Sequence, residues 1–280
     1  MRVWLVLLLT FAVLPSLDLW VSALFYVPEK GGFFLDQNPN LQAMRQGIWS
    51  SFNLLVVLIL IMGLHSLISS RPLLVPGRIW GYGLSLIVLG PFVLVNLGLK
   101  SNWGRARPAE ILAFGGDAVF SPPWQIAQNC TSNCSFVSGE AASAATGAIL
   151  VGLLLWHVVR PEKRRLLVVA LVAFVVIAAS LRVLKGRHFL SDVLWAIVLM
   201  GTLAQGLARV FRLGKALPQV TKAALVGDLR ALWADITQAL GLGLRRVSAV
   251  LRTLRRVILV AVGRTIRPIL SGKSDLPEDR

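Results

Sequence analysis

Three short strings between residues 100 and 192 combine the residue types needed to hold a phosphate group and to attack it. The first string, 100–108, is KSNWGRARP; the second, 138–140, is SGE; the third, 182–192, is RVLKGRHFLSD. Together they supply fixed positive charge, a hydroxyl beside a glycine, and a histidine four residues before an aspartate. Cations bind phosphate oxygens, and an imidazole can act as a nucleophile. The chemistry that these strings predict is therefore phosphoryl transfer.

The first string contains three cations, Lys100, Arg105 and Arg107, and Pro108 stiffens the chain directly after them. Arginine can grip phosphate oxygens through two parallel hydrogen bonds, and lysine adds a mobile point charge. A lysine at the end of an apolar span is also common because its long side chain reaches the aqueous layer. We predict that this string binds an anion such as phosphate, and the simpler interpretation of Lys100 stays open.

The second string places Ser138 and Gly139 directly before the small-residue run 141–147 and a further apolar stretch. Serine is a favoured N-cap residue, so capping alone is one explanation for Ser138. A helix N-terminus also exposes free N–H groups and partial positive charge, and a glycine lets an anion approach closely. Because small residues favour close helix packing, they would fix the direction of this N-terminus.

The third string places His188 and Asp192 four residues apart, which puts them on one face if the segment is helical. The aspartate can hold one imidazole nitrogen, so that the other nitrogen is free to attack. Arg182 ends the preceding apolar stretch at the same interface. His65 and His157 lie near the other ends of predicted spans and are interpreted as packing residues. His188 is therefore the expected nucleophile.

The composition predicts the elements that must position these strings. The chain has 280 residues, of which 56% are hydrophobic and 15% charged, with a mean hydropathy of +0.72. A soluble domain would carry about 25% charged residues, and a membrane span needs roughly 20 apolar residues. We predict an all-α polytopic membrane protein with a six-helix transmembrane bundle in a first domain, 1–212. The predicted spans are 3–23, 49–70, 79–99, 141–159, 166–182 and 192–212.

The first apolar stretch resembles a signal peptide, but no small-residue cleavage site follows it, so a retained anchor is expected. Orientation follows from the basic residues of the short loops, Arg71 with Arg78 and the cluster 160–165. The positive-inside rule places these loops and both termini in the cytoplasm. The outer segments 24–48, 100–140 and 183–191, and with them all three strings, then face the other side of the membrane.

Cys130 and Cys134 are the chain's two cysteines, and both fall in the long outer segment. A disulfide can persist outside the cytoplasm, so we predict that they pair, with free thiols as the alternative. A zinc site is disfavoured because two thiols without nearby histidines are a poor ligand set.

The remainder of the chain, 213–280, is predicted to be a basic amphipathic tail in the cytoplasm. In the stretch 244–258, helical spacing gathers the apolar residues on one side and five arginines on the other. This pattern is typical of a helix that lies on anionic lipid, and packing on a partner protein is the alternative. Membrane attachment accounts for much of the net charge of +16, so nucleic acid is not an expected partner.

The three strings together, Lys-x6-Arg-Pro, Ser-Gly and Arg-x5-His-x3-Asp, resemble the signature of the type 2 phosphatidic acid phosphatase superfamily. That family contains integral-membrane lipid phosphatases and soluble vanadium haloperoxidases. The resemblance covers about residues 50–212, and the predicted spans exclude the soluble branch.

The resemblance implies a role for each matching residue. The phosphate oxygens would be bound by Lys100, Arg107, Arg182, Ser138 and the Gly139 N–H. His188 would attack phosphorus and form a phosphohistidine, Asp192 would orient it, and water would then release phosphate. No metal and no cofactor are implied, because fixed cations replace the Mg²⁺ of other phosphoryl-transfer enzymes.

Two positions depart from the family pattern. Glu140 stands where the family has a histidine that donates a proton to the leaving alcohol, and Leu181 replaces a serine. We expect Glu140 to take over as proton donor when substrate is bound, with an ion pair to an arginine as the structural alternative. The Val137-Ser-Gly-Glu string is similar to a bacterial subgroup that includes lipid A phosphatases.

The expected protein is a phosphatase of the bacterial inner membrane whose active site faces the periplasm. Its substrate would be a lipid phosphate such as lipid A, phosphatidylglycerol phosphate or undecaprenyl diphosphate. The alternative is a catalytically silent relative that binds or senses phosphorylated lipid. The sequence predicts no oligomeric state.

Overall fold

The computed structural model describes residues 2–33, 38–69, 73–242 and 251–252. The chain divides into two compact units, Met1–Asp228 and Leu229–Arg280. The first unit contains every element named below. In the second unit, residues 229–242 are helical. The amphipathic stretch predicted at 244–258 lies, apart from 251–252, outside the described residues.

The described residues of the first unit are mostly helical, as the sequence predicts, and include one small antiparallel hairpin. The hairpin strands are β1 (Tyr26–Val27) and β2 (Gly32–Phe33). The helices are α1 (Arg2–Val13), α2 (Leu17–Ala23), α3 (Pro39–Ile68), α4 (Gly77–Asn102), α5 (Gly139–Leu155), α6 (Arg164–Leu184) and α7 (Leu190–Val210). Residues 222–228 are also helical.

Within the described ranges, four helices are long and apolar enough to cross a membrane: α3, α4, α6 with its preceding turn, and α7. The first predicted span, 3–23, is broken into α1 and α2, which meet at an angle of 79°. Pro15 lies at the break and has no N–H for a helical hydrogen bond. The pair counts as a fifth crossing only if it is one bent span.

Helix α5 is shorter than the predicted span 141–159. Its 17 residues are about 26 Å long at 1.5 Å per residue, below the roughly 30 Å of a hydrocarbon core. The six-span prediction is thus not confirmed, because one predicted span is broken and another is short. The short helix is central: it packs against α3, α4, α6 and α7, and its alanines are buried.

Helix α3 begins ten residues before the predicted span at 49. Asn38 caps it by accepting a hydrogen bond from the Leu41 N–H at 3.1 Å, and Pro39 occupies the first turn, where a missing N–H costs nothing. The polar residues of 39–48 therefore extend the helix beyond its apolar part and bring Arg45 level with the start of α5.

A fully buried guanidinium connects three distant parts of the chain. Arg105 donates to Asp192 at 2.6 Å and to Asp18 at 2.8 Å, and all three side chains have no solvent exposure. Its Nε donates to the Ser121 carbonyl at 2.8 Å, and its Cζ lies 4.2 Å from the Phe189 ring centre. The cluster thereby ties α2, the segment after α4 and the start of α7 to one another.

We expect Arg105→Met to destabilise the protein by about 3–5 kcal/mol, because it leaves two buried carboxylates without their cation. Thermal unfolding in detergent, followed by circular dichroism, measures the loss. Arg107→Met is the matched control. It removes an equal charge two residues further along the chain, from a side chain that borders a cavity. Equal losses in the two variants would contradict a special structural role for Arg105.

Candidate active site

A polar cavity of about 250 Å³ lies where α4 ends and where α5 and α7 begin. Five cationic side chains and one acidic side chain border it, so its lining is strongly positive. The lining residues are Arg45, Trp49, Asn96, Lys100, Arg107, Asn133, Gly139, Glu140, Ser143, Arg182, Arg187 and His188.

Six of the eight residues predicted to form the site border this cavity: Lys100, Arg107, Gly139, Glu140, Arg182 and His188. Ser138 and Asp192 are fully buried behind it. The Ser138 hydroxyl caps α5 by accepting from the Ala141 N–H at 3.3 Å, and the Ser138 N–H donates to the Asp192 carbonyl. Ser138 thus directs the helix N-terminus, and Gly139 is the residue of that string that meets the cavity.

The His188 imidazole is held by a backbone carbonyl. Its Nδ1 lies 2.8 Å from the Ser135 oxygen, which can only accept, so Nδ1 carries the proton and Nε2 keeps its lone pair. The nearest Asp192 oxygen is 3.7 Å from Nδ1, too far for a hydrogen bond. Asp192 instead accepts from the Ser135 hydroxyl at 2.5 Å and from the Phe189 N–H at 2.9 Å. Asp192 therefore positions His188 through both of its neighbours.

Burial lowers the pKa of His188 from its ordinary 6.5 to about 4. The positive charges of Lys100 and Arg182 contribute to this lowered value, and the Asp192 carboxylate opposes the shift. A lowered pKa means that the imidazole is neutral at pH 7. A neutral imidazole with a free Nε2 is the form that can act as a nucleophile.

Asn133 bridges two of the cavity's cations. Its side-chain oxygen accepts from Lys100 Nζ at 2.8 Å, and its backbone carbonyl accepts from Arg107 Nη2 at 2.7 Å. The residue has a left-handed backbone (φ 50°) within the loop that the Cys130–Cys134 disulfide closes. Asparagine tolerates this conformation better than most residues. The closed loop thus fixes the positions of two like charges despite their mutual repulsion.

Glu140 is engaged by two arginines. Arg45 grips its carboxylate with Nε and Nη2, at 3.0 Å and 2.7 Å from Oε1, and Nε also lies 3.1 Å from Oε2. The Arg182 guanidinium lies 3.3 Å from Oε1. Both carboxylate oxygens already accept hydrogen bonds, so this arrangement favours the ion-pair alternative over proton donation.

Sequence reasoning missed Arg45, Asn133, Ser135 and Arg187 as parts of this site. Arg187 stands inside the third string, next to His188, where its position alone was a signal. Asn133 lies between the two cysteines, where a constrained loop residue could have been suspected. Arg45 and Ser135 carry no local signal, because only the fold brings α3 and the residues before α5 to the cavity.

The charges of this cavity suit an anion. Among the residues that the structure describes, no group of three or more histidine, cysteine, aspartate or glutamate side chains is placed to hold a metal ion.

The model of the PAP2 superfamily matches residues 78–214. A lipid A 4'-phosphatase of Rhizobium etli is 33% identical over 204 residues, which cover 68% of this chain and 77% of the relative. The chain belongs to the PAP2 superfamily. The matched residues include all three strings, and residues from each string border the cation-lined cavity.

Two further relatives of this PAP2 protein align over shorter stretches. A lipid A 4'-phosphatase of Rhizobium leguminosarum is 44% identical over 111 residues, or 39% of this chain and 45% of the relative. One from Francisella tularensis subsp. novicida is 38% identical over 110 residues, or 38% of this chain and 46% of the relative. No solved structure matches the chain.

The lowered pKa of His188 predicts how its chemical modification depends on pH. Diethyl pyrocarbonate acylates only neutral imidazole, so the rate constant at His188 should change less than about twofold between pH 7.5 and 5.5. A group with the ordinary pKa of 6.5 would lose about tenfold over this interval. Mass spectrometry of the His188 peptide measures the rate, with N-acetylhistidine as the control. A midpoint near 6.5 for His188 would contradict the lowered value.

Proposed function

We propose that this chain is a lipid phosphate phosphatase of the bacterial inner membrane, and that lipid A is its substrate. The observation that carries this proposal is the neutral His188 imidazole, fixed through Nδ1, at the wall of a cavity lined by five cations. Membership of the PAP2 superfamily and the three relatives named lipid A 4'-phosphatase support it. Apolar helices long enough to cross a membrane fit a substrate that resides in a bilayer.

The reaction proceeds by two displacements at phosphorus. Lys100, Arg107 and Arg182 bind the phosphate oxygens, and the N-terminus of α5 at Gly139 adds its N–H groups. His188 Nε2 attacks phosphorus, the bond to the leaving oxygen breaks, and a phosphohistidine forms. Nδ1–H continues to donate to the Ser135 carbonyl, which stabilises the positive charge that develops on the ring. Cavity water gives a proton to the leaving oxygen, and the hydroxide so formed then attacks phosphorus, which breaks the bond to Nε2 and frees His188.

Glu140 acts in this proposal as a counterion and not as the acid. It holds Arg182 and Arg45 in place while the cavity is empty, so that their guanidinium groups do not have to be assembled when the phosphate arrives. Preorganised charge of this kind lowers the barrier because no reorganisation occurs during the reaction.

The cavity faces the periplasm and both termini lie in the cytoplasm. The basic cluster 160–165 lies beyond the far end of α5, away from the cavity, which is the arrangement that the positive-inside rule favours. In this topology the bent α1–α2 pair and the short α5 complete six crossings. The basic tail, 213–280, then meets the anionic cytoplasmic leaflet.

The proposed reaction is tested by phosphate release in EDTA from lipid A, phosphatidylglycerol phosphate and undecaprenyl diphosphate. We expect the purified protein to release phosphate from lipid A, and His188→Ala to reduce the rate by more than about 10³-fold. His157→Ala, at the opposite end of α5, is the control and should retain activity. Acid-labile phosphate should be trapped on His188.

Near-normal turnover by a folded His188→Ala variant would refute the phosphohistidine mechanism. If the wild-type protein released phosphate from none of the three lipids, the silent lipid-binding relative would be the better interpretation. If phosphate were released from only one of the other two lipids, that lipid would be the substrate instead of lipid A.

Glu140→Gln separates the counterion from the proton donor. A counterion serves every phosphate ester, so the rate on lipid A and on p-nitrophenyl phosphate should fall by the same factor, about 10-fold or more. Arg45→Gln should resemble it, and the double variant should be no worse than either single variant. A loss confined to lipid A, whose alkoxide is the poorer leaving group, would instead identify Glu140 as the acid.

The proposed orientation is tested with a membrane-impermeant maleimide in spheroplasts. Cys130 should be unreactive until the disulfide is reduced and should then label from outside, because its loop lies on the periplasmic side. A matched control places Glu162→Cys, on the opposite loop, in a Cys130→Ser, Cys134→Ser background. Labelling of Cys130 only after the membrane is opened, together with external labelling of Glu162→Cys, would invert the topology.

A further inference from the structure

A second and larger cavity, of about 770 Å³, lies at the opposite end of α5 from the active site. Its walls come from α4, α5, α7 and the turns that follow α7, all within the first unit. The volume falls within the range of ligand sites, roughly 300–1,000 Å³. The phosphatase chemistry proposed above does not use it.

The sequence explains why this space is open. Helix α5 ends at Leu155, and small residues of α5 and α7 line the cavity beside that end. Gly152, Gly201, Ala204 and Ala208 all line the cavity. A Cβ added at Gly201 would meet no atom within 4 Å. The result is a groove between helices with apolar walls and no side chain that fills it.

Two arginines stand at the end of the groove. Arg209 is in the last turn of α7 and Arg212 follows it with a left-handed backbone (φ 51°); both border the cavity and both are exposed. Among the described residues, neither guanidinium has a hydrogen-bond or ion-pair partner, and no acidic side chain lines the groove. An apolar groove that ends in two unpaired guanidinium groups is complementary to an acyl chain with an anionic head group.

We propose that this groove is a binding site for an anionic phospholipid, with an acyl chain between α5 and α7 and the head-group phosphate on Arg209 and Arg212. The occupant fills the space that the short α5 leaves and thereby stabilises α5 against α7. Glu140 lies in the first turn of α5 and Asp192 in the first turn of α7. A lipid between the far ends of these helices therefore supports the active site from the opposite end of the bundle.

The site is tested by thermal unfolding and native mass spectrometry of the full chain in detergent with added phosphatidylglycerol or phosphatidylcholine. We expect phosphatidylglycerol to raise the unfolding temperature and to be retained at one tight site, and phosphatidylcholine to do so much less. Arg209→Gln with Arg212→Gln should weaken the apparent affinity for phosphatidylglycerol by roughly tenfold or more. Arg160→Gln with Lys163→Gln is the control for loss of two charges.

A second variant tests the groove independently of charge. Gly201→Leu should fill the cavity and abolish the tight phosphatidylglycerol site. Gly206→Leu is its matched control, because it lies on the same helix, is equally open around its Cβ and does not line the cavity. Equal stabilisation by the two lipids would show filling by bulk acyl chains and overturn the proposal. Unchanged phosphatidylglycerol binding in both the Gly201 and the paired arginine variants would overturn it as well.

Discussion

The site depends on one buried interaction, the Arg105 guanidinium between Asp18 and Asp192. Burying three charges is costly, and only complete pairing with further hydrogen bonds offsets the loss of water. Two carboxylates face a single cation here, and the Ser191 and Phe189 N–H groups and two serine hydroxyls stabilise the remaining negative charge. These partners come from four parts of the chain. The segment 100–140 therefore has one arrangement that satisfies them all. His188 is placed as a by-product of that arrangement.

The charge balance of the cavity follows from this scaffold. The neutral His188 imidazole lies among cations that lower its pKa, while the one acidic residue of the lining is already paired. An anion that entered the cavity would therefore meet positive charge that is fixed in place and an imidazole that carries none. Asp192 is fully buried and paired with Arg105 and Ser135, so it acts as a structural anchor behind the cavity wall.

Sequence reasoning located the residues whose partners are set by local order and missed those set by packing. The three strings lie at helix ends on one side of the bundle, which is why Lys100, Arg107 and His188 could be placed together. Spacing alone could not distinguish Arg105, which is wholly buried, from Arg107, since both follow the same helix. It also expected Asp192 to hold the imidazole of His188, whereas Nδ1 hydrogen-bonds the Ser135 carbonyl, which spacing within the third string could not indicate. The first span is broken at Pro15, and the mean hydropathy of 3–23 does not show the effect of a single proline.

The loop that contains Asn133 makes part of the cavity depend on a covalent bond. Asn133 holds Lys100 and Arg107, and Asn133 lies in the short loop closed by the Cys130–Cys134 disulfide. The two cysteines must be oxidised before this loop is closed. A newly made chain with free thiols has the residues of the cation pair but lacks the covalent closure that spaces them. The spacing of two cavity cations is thereby linked to disulfide formation, and disulfides persist in oxidising compartments.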